Sequence, residues 1–216
     1  MSSPRSYGDP CGISRALDLV GERWALLVVR ELLLGPRRFT DLRAGLGGAS
    51  PNVLSQRLDE LEIAGVVTRR TLAPPAASTV YELTPRGAAL RPVVLALGAW
   101  GSLATPAPRG PLSASALMLA LEVTFDAAAA RAWRGRVAIV IGGDRFVVTV
   151  ARRRMVITRG ETACDATIAG QSETLRAAVF GRADARQLCA KGALTITGSA
   201  PVAHRFLSLF RAPGAT

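Results

Sequence analysis

The chain has 216 residues, about half of them apolar, with a formal net charge of +11 and three cysteines. That length allows one large domain or two small ones. No apolar run approaches the ~18 residues of a membrane span, and the polar start MSSPRSYGDP lacks the apolar stretch of a signal peptide, so we expect a cytoplasmic protein without membrane insertion.

In chain order, DPCGISRALDLVG predicts a helix with Asp9 as N-cap and Pro10 at its first position, and with Ile13, Leu17 and Val20 on one face. ERWALLVVRELLLG is apolar nearly all round and predicts a buried helix ending at Gly35-Pro36. RFTDLRAGLGG predicts a short helix starting near Arg38 or Thr40 and stopped by glycines. SPNVLSQRLDELEIAG predicts a longer one, capped by Ser50 with Pro51 at its first position. VVTRRTL and STVYELT are β-branched segments joined by APPAA, the pattern of a hairpin. Thr84-Pro85 opens another helix, with Leu90, Val94, Leu97 and Trp100 on one face and Pro92 expected to kink it or delay its regular part.

SLATPAPRGPLS, rich in Pro, Gly and Ser, reads as a linker. We divide the chain into domains at 1–103 and 114–216 with a linker at 104–113. Beyond it, SASALMLALEVTFDAAAARAW reads as helix, broken near Val123-Thr124-Phe125. RVAIVIGG, RFVVTVA, RMVITRG and DATIAG read as strands, with turns at Gly142-Gly143-Asp144 and Arg152-Arg153. QSETLRAAVFG and DARQLCAKG read as short helices, ALTITG as a last strand and PVAHRFLSLF as a last helix. The fold class is therefore two domains, mainly α with a small hairpin and then α+β.

The segment from Ser50 carries the functional argument. At 100° per residue Leu54, Leu58 and Leu61 share a narrow arc, and Asn52, Ser55, Gln56 and Asp59 lie opposite. Asn and Gln both donate and accept, as reading a base edge in the major groove requires. Arg57 is expected at the flank, within reach of phosphate or guanine. A helix, a glycine-bearing turn, a second helix and a hairpin form a winged helix-turn-helix, whose second helix enters the groove by its N-terminal residues. An ordinary amphipathic surface helix is the plainer alternative.

The run from Cys11 to Gly101, with GERWALLVVRELLLG, RFTDLRAGL, ASPNVLSQRL, YELTPRG and ALGAWG, resembles winged-helix transcription factors of the HxlR type. The resemblance implies a homodimer built from the first and last helices of this domain, bound to double-stranded DNA at a palindromic operator. It also implies that Thr40 and Ser50 touch phosphate, that Asn52, Val53, Gln56 and Arg57 face bases, and that Arg69 or Arg70 anchors the wing. The wing tip LAPPAAS departs from the pattern in having no basic residue. Cys11, expected in the first turn of a helix, is the place where some regulators of this kind sense electrophiles or oxidants. Half-buried packing at the dimer interface is the alternative.

The run DATIAGQSETLRAAVFGRADARQLCAKGALTITGSAPVAHRFLSLF resembles sterol carrier protein 2-like domains. That implies a curved sheet covered by helices around an apolar tunnel for a hydrophobic ligand. Phe125, Trp133, Phe146, Phe180 and Phe206 are the candidate lining; core packing is the alternative. A lipid carrier whose winged helix serves dimerisation, or an enzyme acting in that tunnel, stands beside the regulator reading. Charge is uneven: residues 1–105 hold 12 basic and 9 acidic groups, residues 106–216 hold 15 and 7. Arg152-Arg153-Arg154 forms a basic hairpin tip, a solvated turn or a contact for phosphate. One histidine, scattered cysteines and the absence of GxSxG, Walker A and GxGxxG motifs leave no catalytic constellation, no metal site and no cofactor to expect.

Overall fold

The computed structural model describes residues 6–73, 77–104, 110–181 and 183–211. It divides into two compact units between Val94 and Leu95.

The first unit is helical with a hairpin. Helix α1 spans Gly12–Val20, α2 Ala25–Leu32, α3 Phe39–Gly45 and α4 Pro51–Ile63. Strands β1 (Val67–Thr71) and β2 (Thr79–Leu83) pair antiparallel and α5 (Pro85–Ala88) follows; α6 (Arg91–Gly101) runs across the division between the units. Its core joins Val28, Val29 and Leu32 of α2 to Leu42 of α3 and to Leu54, Leu58 and Leu61 of α4. Arg37, between α2 and α3, exchanges backbone hydrogen bonds with Tyr81 of β2, at 2.9 and 2.8 Å. The hairpin is thereby fixed to the loop that leads into α3.

Three expectations change here. Helix α1 begins at Gly12 with Cys11 as its N-cap, not at Asp9-Pro10. The Asp9 carboxylate accepts from the Cys11 N–H (2.9 Å) and the Ser14 hydroxyl (2.7 Å), so it organises the turn before the helix. Those bonds, the Cys11 amide foremost, hold its pKa below the ordinary carboxylate range. Of the predicted apolar face of α1 only Val20 is buried; Ile13 (72% exposed) and Leu17 face solvent. The helix opened by Thr84 is two helices, because Pro92 has no N–H to donate and is accommodated in the opening turn of α6.

Glycine is required at Gly87. A Cβ there would lie 2.0 Å from the Val66 carbonyl oxygen, where α5 crosses the start of the hairpin.

The second unit opens with α7 (Ala114–Thr124), capped by the Ser113 hydroxyl, which accepts from the Ala116 N–H at 3.0 Å. Strands β3 (Gly135–Ile141), β4 (Asp144–Ala151), β5 (Arg154–Arg159), β6 (Ala166–Gly170) and β7 (Leu194–Gly198) form one sheet in the order β5-β4-β3-β6-β7. The β3–β6 pair is parallel and the others antiparallel. Helices α8 (Ser172–Val179) and α9 (Ala185–Ala190) connect β6 to β7, and α10 (Ala200–Leu207) follows. One register row crosses the sheet as Arg159, Phe146, Ile139, Ile168 and Ile196. Side chains alternate about the pleat, so this row and its neighbours Val137, Val148 and Ile157 form the apolar face. The opposite face carries Thr149, Thr158, Thr167, Thr195 and Thr197 around Ala138 and Val147, which are buried. The segment after α10 meets the end of α7: Arg211 bonds the Asp126 carboxylate at 2.9 Å, and this bond, with backbone N–H donors, depresses the Asp126 pKa to about 2.

The crossing at Gly87 is testable. Gly87→Ala should destabilise the first unit by about 1–3 kcal/mol, the usual range for overpacking, read as a lower urea midpoint. An unchanged midpoint would contradict the close approach to Val66.

Candidate nucleic-acid interface

Ser50 begins α4 in extended conformation, and its hydroxyl accepts from the Val53 N–H at 3.3 Å. Pro51 follows at the first helical position, where a missing N–H costs nothing. Leu54, Leu58 and Leu61 are at most 1% exposed. Burying them turns Asn52, Ser55, Gln56 and Asp59 to solvent, with Val53 half-buried between the two faces. The first turn holds no acidic residue, so its free N–H groups and positive dipole end stand unopposed. Gln56 donates to the Glu60 carboxylate at 2.9 Å and keeps its amide oxygen free to accept. Thr40 stands exposed in the first turn of α3, whose N-cap Arg38 donates its backbone N–H to Asp41 at 3.2 Å.

Arg57 is placed differently from the sequence expectation. Arg57 is not at the flank but buried at 7% exposure, paired with Glu60 and lying 3.6 Å from Glu22. One helical turn separates Arg57 from Glu60, so the two pair along the helix. Arg69 binds Glu62 (2.8 and 3.0 Å) and Asp59 (2.8 Å), and stacks over Tyr81 at 5.6 Å. Arg70 holds both carboxylate oxygens of Glu82 at 3.1 Å. Exposed pairs of this kind contribute only about 0–1 kcal/mol each. Their larger consequence is that Asp59, Glu60, Glu62 and Glu82 are neutralised, leaving a hydrogen-bonding surface of little net charge on α4.

Buried Glu31 braces this arrangement. It is fully enclosed, accepts from Arg30 at 2.8 and 3.1 Å, and lies 3.9 Å from Arg37. Its carboxylate also occupies the space a Cβ on Gly45 would need.

Sequence reasoning missed one feature. Trp24 caps α2 in the left-handed conformation (φ +79°), with Arg23 stacked over its ring at 5.4 Å. Together with Gly48, Ser50, Val53 and Arg57 they line an open cleft of about 390 Å³ beside the start of α4. The GERW motif was legible only as the start of a buried helix, since a single left-handed residue leaves no periodic signal.

The candidate residues of the second unit do not form one wall. Trp133 and Phe206 (ring centroids 6.5 Å apart), Phe206 and Phe210 (5.1 Å), and Phe125 and Phe210 (6.2 Å) make a connected aromatic cluster. Phe146 instead packs under the Arg159 guanidinium at 4.4 Å, and Phe180 caps the end of α8. Phe146 and Phe206 are wholly buried as core. The reason is the register: Phe146 belongs to the apolar row of the sheet, whereas the cluster gathers around the segments after α7 and α10. Cys11 is exposed, and Cys164 and Cys189 are half-buried. Burial raises the Cys164 thiol pKa. Among the described residues no helix is long and apolar enough to cross a membrane.

A capped helix anchored by leucines, a preceding short helix and a hairpin fixed behind it define a winged helix-turn-helix protein. Residues 19–108 match the HxlR-like helix-turn-helix model and residues 119–211 the SCP-2 sterol transfer family. The HTH-type transcriptional regulator YvaP of Bacillus subtilis is 39% identical over 88 residues, which cover 41% of this chain and 82% of that protein. YodB of the same organism, also an HTH-type transcriptional regulator, is 35% identical over 85 residues, 39% of this chain and 76% of its own. The solved reduced form of YodB superposes with a TM-score of 0.40 and 31% identity, over 46% of this chain and 100% of that one. The chain belongs to the HxlR-like family of transcriptional regulators and carries an SCP-2-type domain after its winged helix.

The ion pairs at the wing base predict a gain on their removal. Asp59→Asn with Glu62→Gln frees Arg69, and should tighten binding to any duplex while steepening the log–log salt dependence by about one phosphate contact, ~0.9 in slope. Fluorescence anisotropy over a salt series measures both; an unchanged slope would show that Arg69 is remote from the backbone.

Proposed function

We propose that the first unit binds a palindromic operator as a homodimer, with the exposed first turns of the two α4 helices reading bases in successive major grooves. The observation that carries this is the outward face of α4: Asn52, Ser55 and Gln56 are exposed while the leucines opposite are buried. Asn52 and Gln56 supply paired donors and acceptors for base edges, and Val53 an apolar contact of the kind a thymine methyl takes. Ser50 and Thr40, at the starts of α4 and α3, bind backbone phosphates. Arg57 acts through Glu60 and Glu22, setting the position of α4, and does not itself reach a base. Arg69 and Arg70 brace the wing.

Dimerisation is supported by apolar side chains left in solvent on two helices: Ile13 and Leu17 on α1, Val93, Leu97 and Trp100 on α6. Trp100 is 74% exposed, uncommon for so large a ring unless another surface covers it. A two-fold dimer would present its recognition helices to half-sites about one duplex turn apart. The SCP-2-type unit takes a hydrophobic effector near the Phe125–Phe206–Phe210 cluster, and the effector shifts the spacing of the two reading helices.

Base reading is tested by selecting duplexes from a random pool and titrating them at two salt concentrations. Asn52→Ala and Gln56→Ala should each lose about 1–3 kcal/mol at one base position. A loss spread equally over every sequence would refute the assignment.

A thiol response is a second reading, favoured by the exposure of Cys11 at the start of α1. Alkylation should weaken operator binding in the parent and leave Cys11→Ser unaffected. Full sensitivity of the serine variant to an electrophile would exclude Cys11 as the sensor.

A further inference from the structure

Among the described residues, a cluster of arginines outside any ion pair lies in the second unit. Strand β3 starts beside the end of β4, with Gly135 opposite Val150, and the turn from β4 to β5 follows at once. This brings Arg134, Arg136, Arg152, Arg153 and Arg154 to one end of the sheet, all exposed. Arg153 donates to the Ala127 carbonyl at 3.2 Å and Arg205 to the Ala129 carbonyl at 2.6 Å, which adds Arg205 to the same end through the intervening loop. Among the described residues none of these six is in an ion pair. Two carboxylates lie nearby: Asp126 is taken by Arg211, and Asp165 accepts the backbone N–H of Arg136 at 2.7 Å. At the opposite end of the strands Arg159 is paired with Asp144, while Arg145 beside it is in no ion pair among the described residues.

The turn itself adds an independent observation. Arg152 and Arg153 form a two-residue hairpin loop with both φ angles positive, +51° and +63°. That geometry favours Asn-Gly, because a side chain with a Cβ is strained there. The neighbouring β3–β4 turn of the same sheet uses Gly142-Gly143. Here two arginines hold the strained positions, so the turn keeps cations where its backbone would be better served without them.

We propose that this arginine end of the sheet is a second, sequence-independent seat for the phosphates of duplex DNA. It rests on the preceding reading only in taking the duplex as partner. All six cations are arginines, whose planar fork matches phosphate oxygens. In the first unit Arg57, Arg69 and Arg70 are tied to carboxylates; at this end of the sheet none of the six is in an ion pair among the described residues, and Arg136, Arg153 and Arg205 donate only to backbone carbonyls and, for Arg205, to the Ser208 hydroxyl. An anionic bilayer would attract the same charge, but surface-bound elements also insert large apolar side chains. Among the described residues of 110–211 the only strongly exposed large apolar side chain is Val156. Because both units share one chain, phosphate contacts by the second act at a high effective concentration once the first is bound.

The test uses the full chain. Arg152→Asn with Arg153→Gly removes two charges and installs the residues the turn prefers, so its melting temperature should equal or exceed the parent's. Binding to selected and scrambled duplexes should weaken alike, by about tenfold at low salt, with the log–log salt slope reduced by about 1–2. Arg154→Gln, outside the turn, should move the slope in the same direction and serves as the readout if the double variant loses stability. Unchanged affinity and slope on both duplexes would overturn the proposal. So would loss of binding to phosphatidylserine vesicles with duplex binding intact, which would assign the patch to a membrane. Failure of base reading is separate: a parent with no sequence preference, whose salt slope still falls in the variant, leaves this proposal standing.

Discussion

The packing of Leu54, Leu58 and Leu61 into the core formed by α2 and α3 is the constraint on which the first unit depends. Three leucines in a narrow arc allow α4 one rotational setting about its axis. Any other setting would expose them or bury Asn52 and Gln56 without partners. Ser50 and Pro51 set where the helix starts, and the leucines set which way its first turn looks. The enclosed carboxylate of Glu31, held by Arg30 and filling the space beside Gly45, keeps α2 and α3 in the relation that makes the socket for those leucines.

Charge is sorted around that helix. The acidic groups on the back half of α4 would repel phosphate if left alone. Instead Arg57 takes Glu60, while Arg69 draws in both Asp59 and Glu62 from the adjoining strand. The proposed reading surface is therefore nearly neutral and built for hydrogen bonds. Sequence preference and bulk attraction to a polyanion have different physical sources: one requires matched donors and acceptors, the other releases counterions from phosphates.

The second unit is organised by its sheet register. Arg159, Phe146, Ile139, Ile168 and Ile196 stand in one row, so the apolar face is continuous across five strands and ends at an arginine satisfied by Asp144 and by the Phe146 ring. The clip of Arg211 onto Asp126 then fixes the segment after α10 against the segment after α7, and the aromatic cluster forms around that junction.

Much of this was legible in the sequence, because it is encoded locally. The Ser50-Pro51 start, the leucine arc and the β-branched strands with their Gly and Arg turns each rest on a few neighbouring residues, and their periods survive without knowledge of the fold. So did the outward placement of Asn52 and Gln56. What the tertiary structure decided involves partners distant in sequence or a backbone conformation with no period. Arg57 turned inward toward Glu22 and Glu60, Arg69 was claimed by carboxylates from another element, and Trp24 took a left-handed conformation to make a cleft with Gly48 and Ser50. The predicted aromatic lining divided between the sheet core and a separate cluster, and five arginines spread over twenty residues converged on one sheet end. Hydrophobic periodicity reports which side of an element is buried. Ion pairing and convergence depend on which elements meet, and that is set only when the chain is folded.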